Sequence, residues 1–406
     1  METDQNIPGN QTTVNLSVPA SRLINRRRLL QLGGGFVIVA AGGGSAYAKG
    51  TGPSASSGSH HIHSAMQAAT PPAVATPQLG EQPDGSRIWH VKVGGMDMDT
   101  RVDVQSFLPG EITVNAGDAV WFEFNVTMPG AHTVTFMSGD EAPVLEVPDP
   151  DAGTPVAGPP AFILNPEVIF PTGGTSYNGT GYLTSGLDLL FDPSMGPFVL
   201  TFTEPGSYEY LCITHQMVMK GTVTVQEAGA DLPMEQDAYD RMAEEQFAAI
   251  VADGEAASAE HADAIATERA DGTTLWELSA GVGGESQARV MRFLPETVEV
   301  GIGDTVRWVD RSPGEPHTVT FTAGGENPEL LSVEPQADGA PKFIFNSLAL
   351  LPQGGDTYDG TTYTNSGFLG TPIINTDAFE LTFSAAGEFD YICALHQGME
   401  GKIIVS

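Results

Sequence analysis

The chain is poor in cysteine, in basic residues and in long apolar runs. Two cysteines in 406 residues allow at most one disulfide, and the paired-cysteine spacings of structural zinc sites are missing. Lys and Arg number 17 against 51 Asp and Glu, a formal net charge of -34. A chain this acidic repels nucleic acid and anionic membrane surfaces, and its charge fits partners of cationic surface, simple solubility or a saline habitat alike. No permanent membrane span is expected, because no run reaches the roughly 20 apolar residues that a crossing helix needs. There are 9 histidines, and only His61 and His63 form a His-x-His pair.

Both cysteines sit in the same kind of stretch. One is Tyr391-Ile-Cys-Ala-Leu-His-Gln-Gly-Met-Glu-Gly-Lys402, with Cys393, His396 and Met399. The other is Tyr210-Leu-Cys-Ile-Thr-His-Gln-Met-Val-Met-Lys-Gly221, with Cys212, His215 and Met219. A disulfide requires no histidine or methionine at fixed offsets. A thiolate with two imidazoles and a weak thioether suits copper in an electron-transfer site. Each loop supplies only one imidazole, so a second must come from elsewhere in its half. His132 and His317 qualify, each heading a Thr-Val-Thr-Phe run that reads as the start of a strand. Met217 lies only two residues beyond His215, too near to swing back over a metal, so Met219 is favoured.

At these residues the sequence resembles the cupredoxins, the type 1 blue copper proteins of the plastocyanin, amicyanin and azurin kind. The spacing Cys393-x2-His396-x2-Met399 is similar to the short amicyanin loop, whereas the Met-Lys-Gly ending after Met219 looks like azurin. The resemblance implies two type 1 coppers. His132, Cys212, His215 and Met219 would ligate one, and His317, Cys393, His396 and Met399 the other. It also implies an all-β fold of two tandem Greek-key sandwiches and a role in carrying single electrons between a redox donor and acceptor. One departure stands out. The ligand His and Cys are 80 residues apart in the first half and 76 in the second, far more than a small plastocyanin-like domain needs. The excess, residues 137–197 and 322–378, is itself repeated, and it is expected either to pack over the sandwich edge and shape the approach to the metal or to form a decorative loop remote from it.

The chain divides into five parts. Residues 1–48 read as a twin-arginine export signal with Arg26 and Arg27 as the pair. Residues 49–85 read as a flexible leader containing His60, His61 and His63. The two copper domains are placed at 86–226 and 272–406. Between them, residues 227–271 form an acidic helical linker, with one helix over 233–251 and a second over about 256–269. The segment 107–118 recurs at 293–304, which marks the halves as copies of one unit. His90 is expected to be structural.

These features predict an exported, periplasmic or extracellular electron carrier that is not an enzyme. A two-domain copper oxidase or nitrite reductase is the alternative, and it needs further histidines for a second kind of copper centre. Copper storage or delivery is the other alternative, for which the leader histidines and Met96-Asp-Met98 speak weakly.

Overall fold

The computed structural model describes residues 76–125, 130–139, 141–152, 160–187, 197–284, 286–337 and 339–406. The export signal and the histidines of the leader lie outside the described residues.

Alternation of apolar and polar residues builds the first sandwich. In the strand Arg87–Val93, Trp89, Val91 and Val93 point inward, as successive side chains of a strand face opposite sides. The strand pairs in parallel with Ala119–Phe124, which pairs in turn with Phe198–Phe202. The facing sheet runs in the order Leu183–Thr184, Thr135–Phe136, Gly206–Leu211, Lys220–Gln226, Glu111–Asn115. Phe107, Phe122, Phe136, Phe202 and Tyr210 fill the space between the sheets. An aspartate clasps the strand entry. Asp118 accepts hydrogen bonds from the Arg87 and Asn115 amides and from the Trp89 indole. Asp304 does the same for Thr274, Gly301 and Trp276 in the second half.

The second sandwich repeats this plan. Thr274–Gly283, Thr305–Arg311 and Ala378–Phe383 form one sheet, and Thr320–Phe321, Gly387–Ile392, Glu400–Val405 and Thr297–Val300 form most of the other. The fold is therefore all-β with tandem sandwiches, as expected.

The two halves are joined more closely than a linker implies. The first-half strand Val102–Val104 pairs antiparallel with Ala288–Leu294, so one sheet crosses the domain boundary. The repeated insertions also meet. Ile163 of Phe162–Leu164 pairs with Ile344 of Lys342–Phe345, giving a four-stranded sheet shared by both halves. Beneath it Leu164, Val168 and Ile169 pack with Phe345, Leu350 and Phe368. Lys342 of the second half reaches buried Asp149 of the first at 3.1 Å.

Two expectations are corrected. One helix of 25 residues, Gln236–Glu260, replaces the expected pair. The residues foreseen as the tail of a second helix instead form the strand Ile265–Glu268, which hydrogen-bonds to Thr274–Gly283. An available sheet edge outweighs the modest helix propensity of that stretch. The leader ends sooner than residue 85, since Gly80–Glu81 pairs with the strand Arg87–Val93. The long helix is a strut rather than a tether. Its buried face, including Ala243 and Ile250, packs on Val102, Leu108, Ala288 and Leu294 from both halves. The Thr113 amide donates to the Tyr239 hydroxyl at 2.9 Å. Among the described residues no helix is long and apolar enough to cross a membrane.

Candidate metal centres

Each cysteine ends a strand and opens a tight loop. The Cys212 amide donates to the Met219 carbonyl at 3.0 Å, and the amides of Val218 and Met219 return to the His215 carbonyl. The later loop closes in the same way, with the Cys393 amide on Met399 and the Met399 amide on His396. The upstream histidine arrives on the neighbouring strand. Thr133, next to His132, ties the two together. Its hydroxyl accepts from the Ile213 amide at 2.9 Å, and its own amide points at Cys212 Sγ at 3.3 Å. Thr318 repeats both contacts with Ala394 and Cys393. The insertions buttress these strands from behind. The Val134 amide donates to the Ser185 hydroxyl and the Val319 amide to that of Ser366.

The donor atoms converge. In the first centre Nδ1 of His132 and Nδ1 of His215 lie 3.1 Å apart, and Cys212 Sγ is 3.9 and 3.6 Å from them. In the second, Nδ1 of His317 and His396 are 3.1 Å apart, with Cys393 Sγ 3.4 Å from His396. Met219 and Met399 are both fully buried, whereas Met217 is 69% exposed. Both cysteines are free, so no disulfide forms. Glycine makes room for the upstream rings. Gly94 and Gly281 hold positive φ of 66° and 75°. A Cβ on either would come within 2.2 Å of His132 Nε2 or 2.0 Å of His317 Nε2.

Electrostatics favour the thiolates, and although burial works to lower the loop histidines, the cysteine thiolates and Glu315 raise His215 well above its ordinary value and His396 to about 10. Burial works to raise the Cys212 thiol, but the charge of His215 and hydrogen bonds from His132 and His215 carry it well below its ordinary value. Cys393 is lowered for the same reasons by His396 and His317. The thiolate is the form that ligates a metal. Burial, with the neighbouring His396 charge, pushes His317 down. Nearby, burial lifts the Asp310 carboxyl to about 8 against the lowering hydrogen bond from the Ser312 amide.

Two imidazole nitrogens and one thiolate, buried and mutually within reach, fit a first-row metal whose bonds to nitrogen and sulfur are about 2.0–2.3 Å. A soft thiolate, borderline imidazoles and a buried thioether are the donor set of type 1 copper. The model for copper binding proteins of the plastocyanin/azurin family matches residues 194–226 and 280–406. That match takes in both cysteine loops and nearly all of the second sandwich. In these segments the chain is similar to the cupredoxins. Its two His–Cys–His groups fit two type 1 copper sites. Amicyanin from Paracoccus denitrificans is 27% identical over 115 residues, 28% of this chain. The chain spans 59% of the length of that relative. Among solved structures, an oxidised proline-to-alanine variant of amicyanin is 23% identical. It covers 34% of this chain and 87% of its own, with a TM-score of 0.20. Amicyanin from Paracoccus versutus is 22% identical over 36% of this chain and 92% of its own, with a TM-score of 0.17.

The other described histidines lie apart from the centres. His90 contacts Glu123 at 3.0 Å and packs on Trp121. His261 caps the long helix.

One residue at the centres escaped the sequence reading. Glu315 is buried between the halves, and its carboxylate meets both loop histidines. Oε2 lies 3.0 Å from His215 Nε2, and Oε1 lies 2.9 Å from His396 Nε2. Buried Gln105 donates a third hydrogen bond to Oε2. Burial alone would raise this carboxyl, but the bonds from both histidines hold it well below the usual range. The available signal was a difference between the repeats. The residue two before the upstream histidine is Gly130 in the first half and Glu315 in the second.

Proposed function

We propose that the protein is an exported carrier of single electrons with two type 1 copper centres. His132, Cys212, His215 and Met219 hold one copper. His317, Cys393, His396 and Met399 hold the other. The observation that carries this reading is the doubled set of two Nδ1 atoms and one thiolate, each beside a buried methionine. Copper, when bound, supplies a one-electron couple. The protein's part is to keep the donors still. The closed loops, the Thr133 and Thr318 clasps and the buried surroundings hold the same donor positions whatever the charge at the site. Amide donors on each sulfur temper its negative charge, a lever on the potential of such sites.

The acidic surface suits redox partners of cationic surface. The twin-arginine pattern supports a periplasmic or extracellular location.

The test is copper content per chain with visible and EPR spectra of the oxidised protein. Two coppers, an intense thiolate-to-copper band and only type 1 signals are expected. A third copper or a type 2 signal would overturn the carrier reading in favour of an oxidase or nitrite reductase.

A further inference from the structure

Of the two loop histidines His215 is buried and His396 is 19% exposed. His215 and His396 turn their outer nitrogens toward each other across the domain boundary, and one carboxylate fills the gap. Glu315 is built into place. Its side chain is 9% exposed. Its amide closes a turn onto the Ser312 carbonyl. Buried Arg289 holds that turn by donating to the Pro313 carbonyl at 3.0 Å. The interdomain sheet delivers Gln105 to the same carboxylate, because Gln105 follows the strand Val102–Val104 and its amide bonds to the Gln287 carbonyl.

The chemistry of an imidazole gives this arrangement a consequence. A neutral ring carries its proton on one nitrogen and a lone pair on the other. A carboxylate accepts hydrogen bonds and, when ionised, donates none. In the neutral form that gives its Nδ1 lone pair to a metal, both rings therefore present N–H at Nε2 to Glu315. In metal sites such outer carboxylates set the tautomer and orientation of the ligating histidine.

We propose that Glu315 is a positioning residue shared by the two copper centres, one carboxylate that sets the tautomer of both His215 and His396 and so couples the occupancy and the potential of each centre to the other. The inference rests on the copper reading above and adds a dependence between the sites. A metal cation filling the first site makes the His215 N–H a stronger donor to Oε2 and draws the carboxylate into position for His396. The fixed negative charge also stabilises the oxidised, more positive state of both centres.

The experiment compares the wild-type full chain with Glu315→Gln and Glu315→Ala. It measures Cu(II) binding isotherms, the reduction potential of each centre, and 15N NMR of the metal-free imidazoles at a pH where both rings are neutral. The glutamine is the discriminating change, since its amide accepts from one ring but donates to the other. In the metal-free Glu315→Gln chain one of the two histidines is expected to move its proton to Nδ1. The corresponding centre is expected to lose copper affinity by about 10–100-fold, the usual effect of removing such a partner. Glu315→Ala is expected to weaken both centres and to raise both potentials.

The proposal is overturned if both variants bind two coppers with wild-type affinity and potentials, or if both imidazoles keep the Nε2 proton in Glu315→Gln. Wild-type protein that takes up no type 1 copper would refute the copper reading itself. The NMR arm would still decide whether Glu315 sets both tautomers. If Glu315→Ala fails to fold, the isosteric glutamine carries the test alone.

Discussion

Gly281 separates backbone strain from pressure on His317, a proposed copper ligand. It sits where the pairing of Thr274–Gly283 with Ala288–Leu294 shifts register, at φ 75°. An alanine there meets two penalties. The left-handed backbone costs an L-residue about 1–2 kcal/mol. The added Cβ would also lie 2.0 Å from His317 Nε2 and 2.5 Å from its Cδ2. Overpacking a filled interior adds about 1–3 kcal/mol, for a total of about 2–5 kcal/mol. His317 is fully buried, so the ring relieves the clash only by tilting its Nδ1 away from His396. Gly303 supplies the control. It has φ 93°, and its nearest neighbour to a new Cβ is Thr273 at 3.6 Å, an ordinary contact. Gly303→Ala should therefore lose only the 1–2 kcal/mol of strain. In urea unfolding of the full chain, Gly281→Ala should be the less stable of the two. It should also lose the second copper while keeping the first. Gly94→Ala should do the reverse, since its Cβ would lie 2.2 Å from His132 Nε2. Equal stability of Gly281→Ala and Gly303→Ala, with two coppers in each, would refute the reasoning.

Three further outcomes are expected. The folded chain keeps a proton on Asp310 up to about 8, while the unfolded chain releases it near 3.8. Because the folded state binds the extra proton, this residue's contribution to stability falls as pH rises through that window. The melting temperature of Asp310→Asn relative to wild type should rise between about pH 5 and pH 8, and a constant difference would sink the assignment. Met219→Leu should shift the potential of the first copper and Met217→Leu should leave it unchanged, as read by spectroelectrochemistry. The opposite pattern would make Met217 the ligand. Tyr239→Phe leaves the Thr113 amide without its partner and should cost about 1–3 kcal/mol in urea unfolding. No change would mean that the helix contributes through apolar contact alone.

What the sequence determined by itself was local. The Cys–His–Met loops, the Thr-Val-Thr-Phe strands behind His132 and His317, and the Gly-Asp turns at 117–118 and 303–304 all lie within a few residues. Their spacing constrains their chemistry before any fold is known, and alternation along Arg87–Val93 or Gly206–Leu211 already tells which side is buried. The fate of 265–268 was less readable, since weak helix propensity yields to whichever partner edge is present.

Only the tertiary structure decided how the halves meet. The strand Val102–Val104 leaves its own sandwich for the sheet of the other, and the two insertions close one sheet between them. These pairings depend on surfaces made by residues far apart in sequence. Glu315 is the sharpest instance. Alone it is one acidic residue among 51. It becomes the link between two centres because docking brings His215, 100 positions earlier, and His396, 81 positions later, to the two oxygens of one carboxylate.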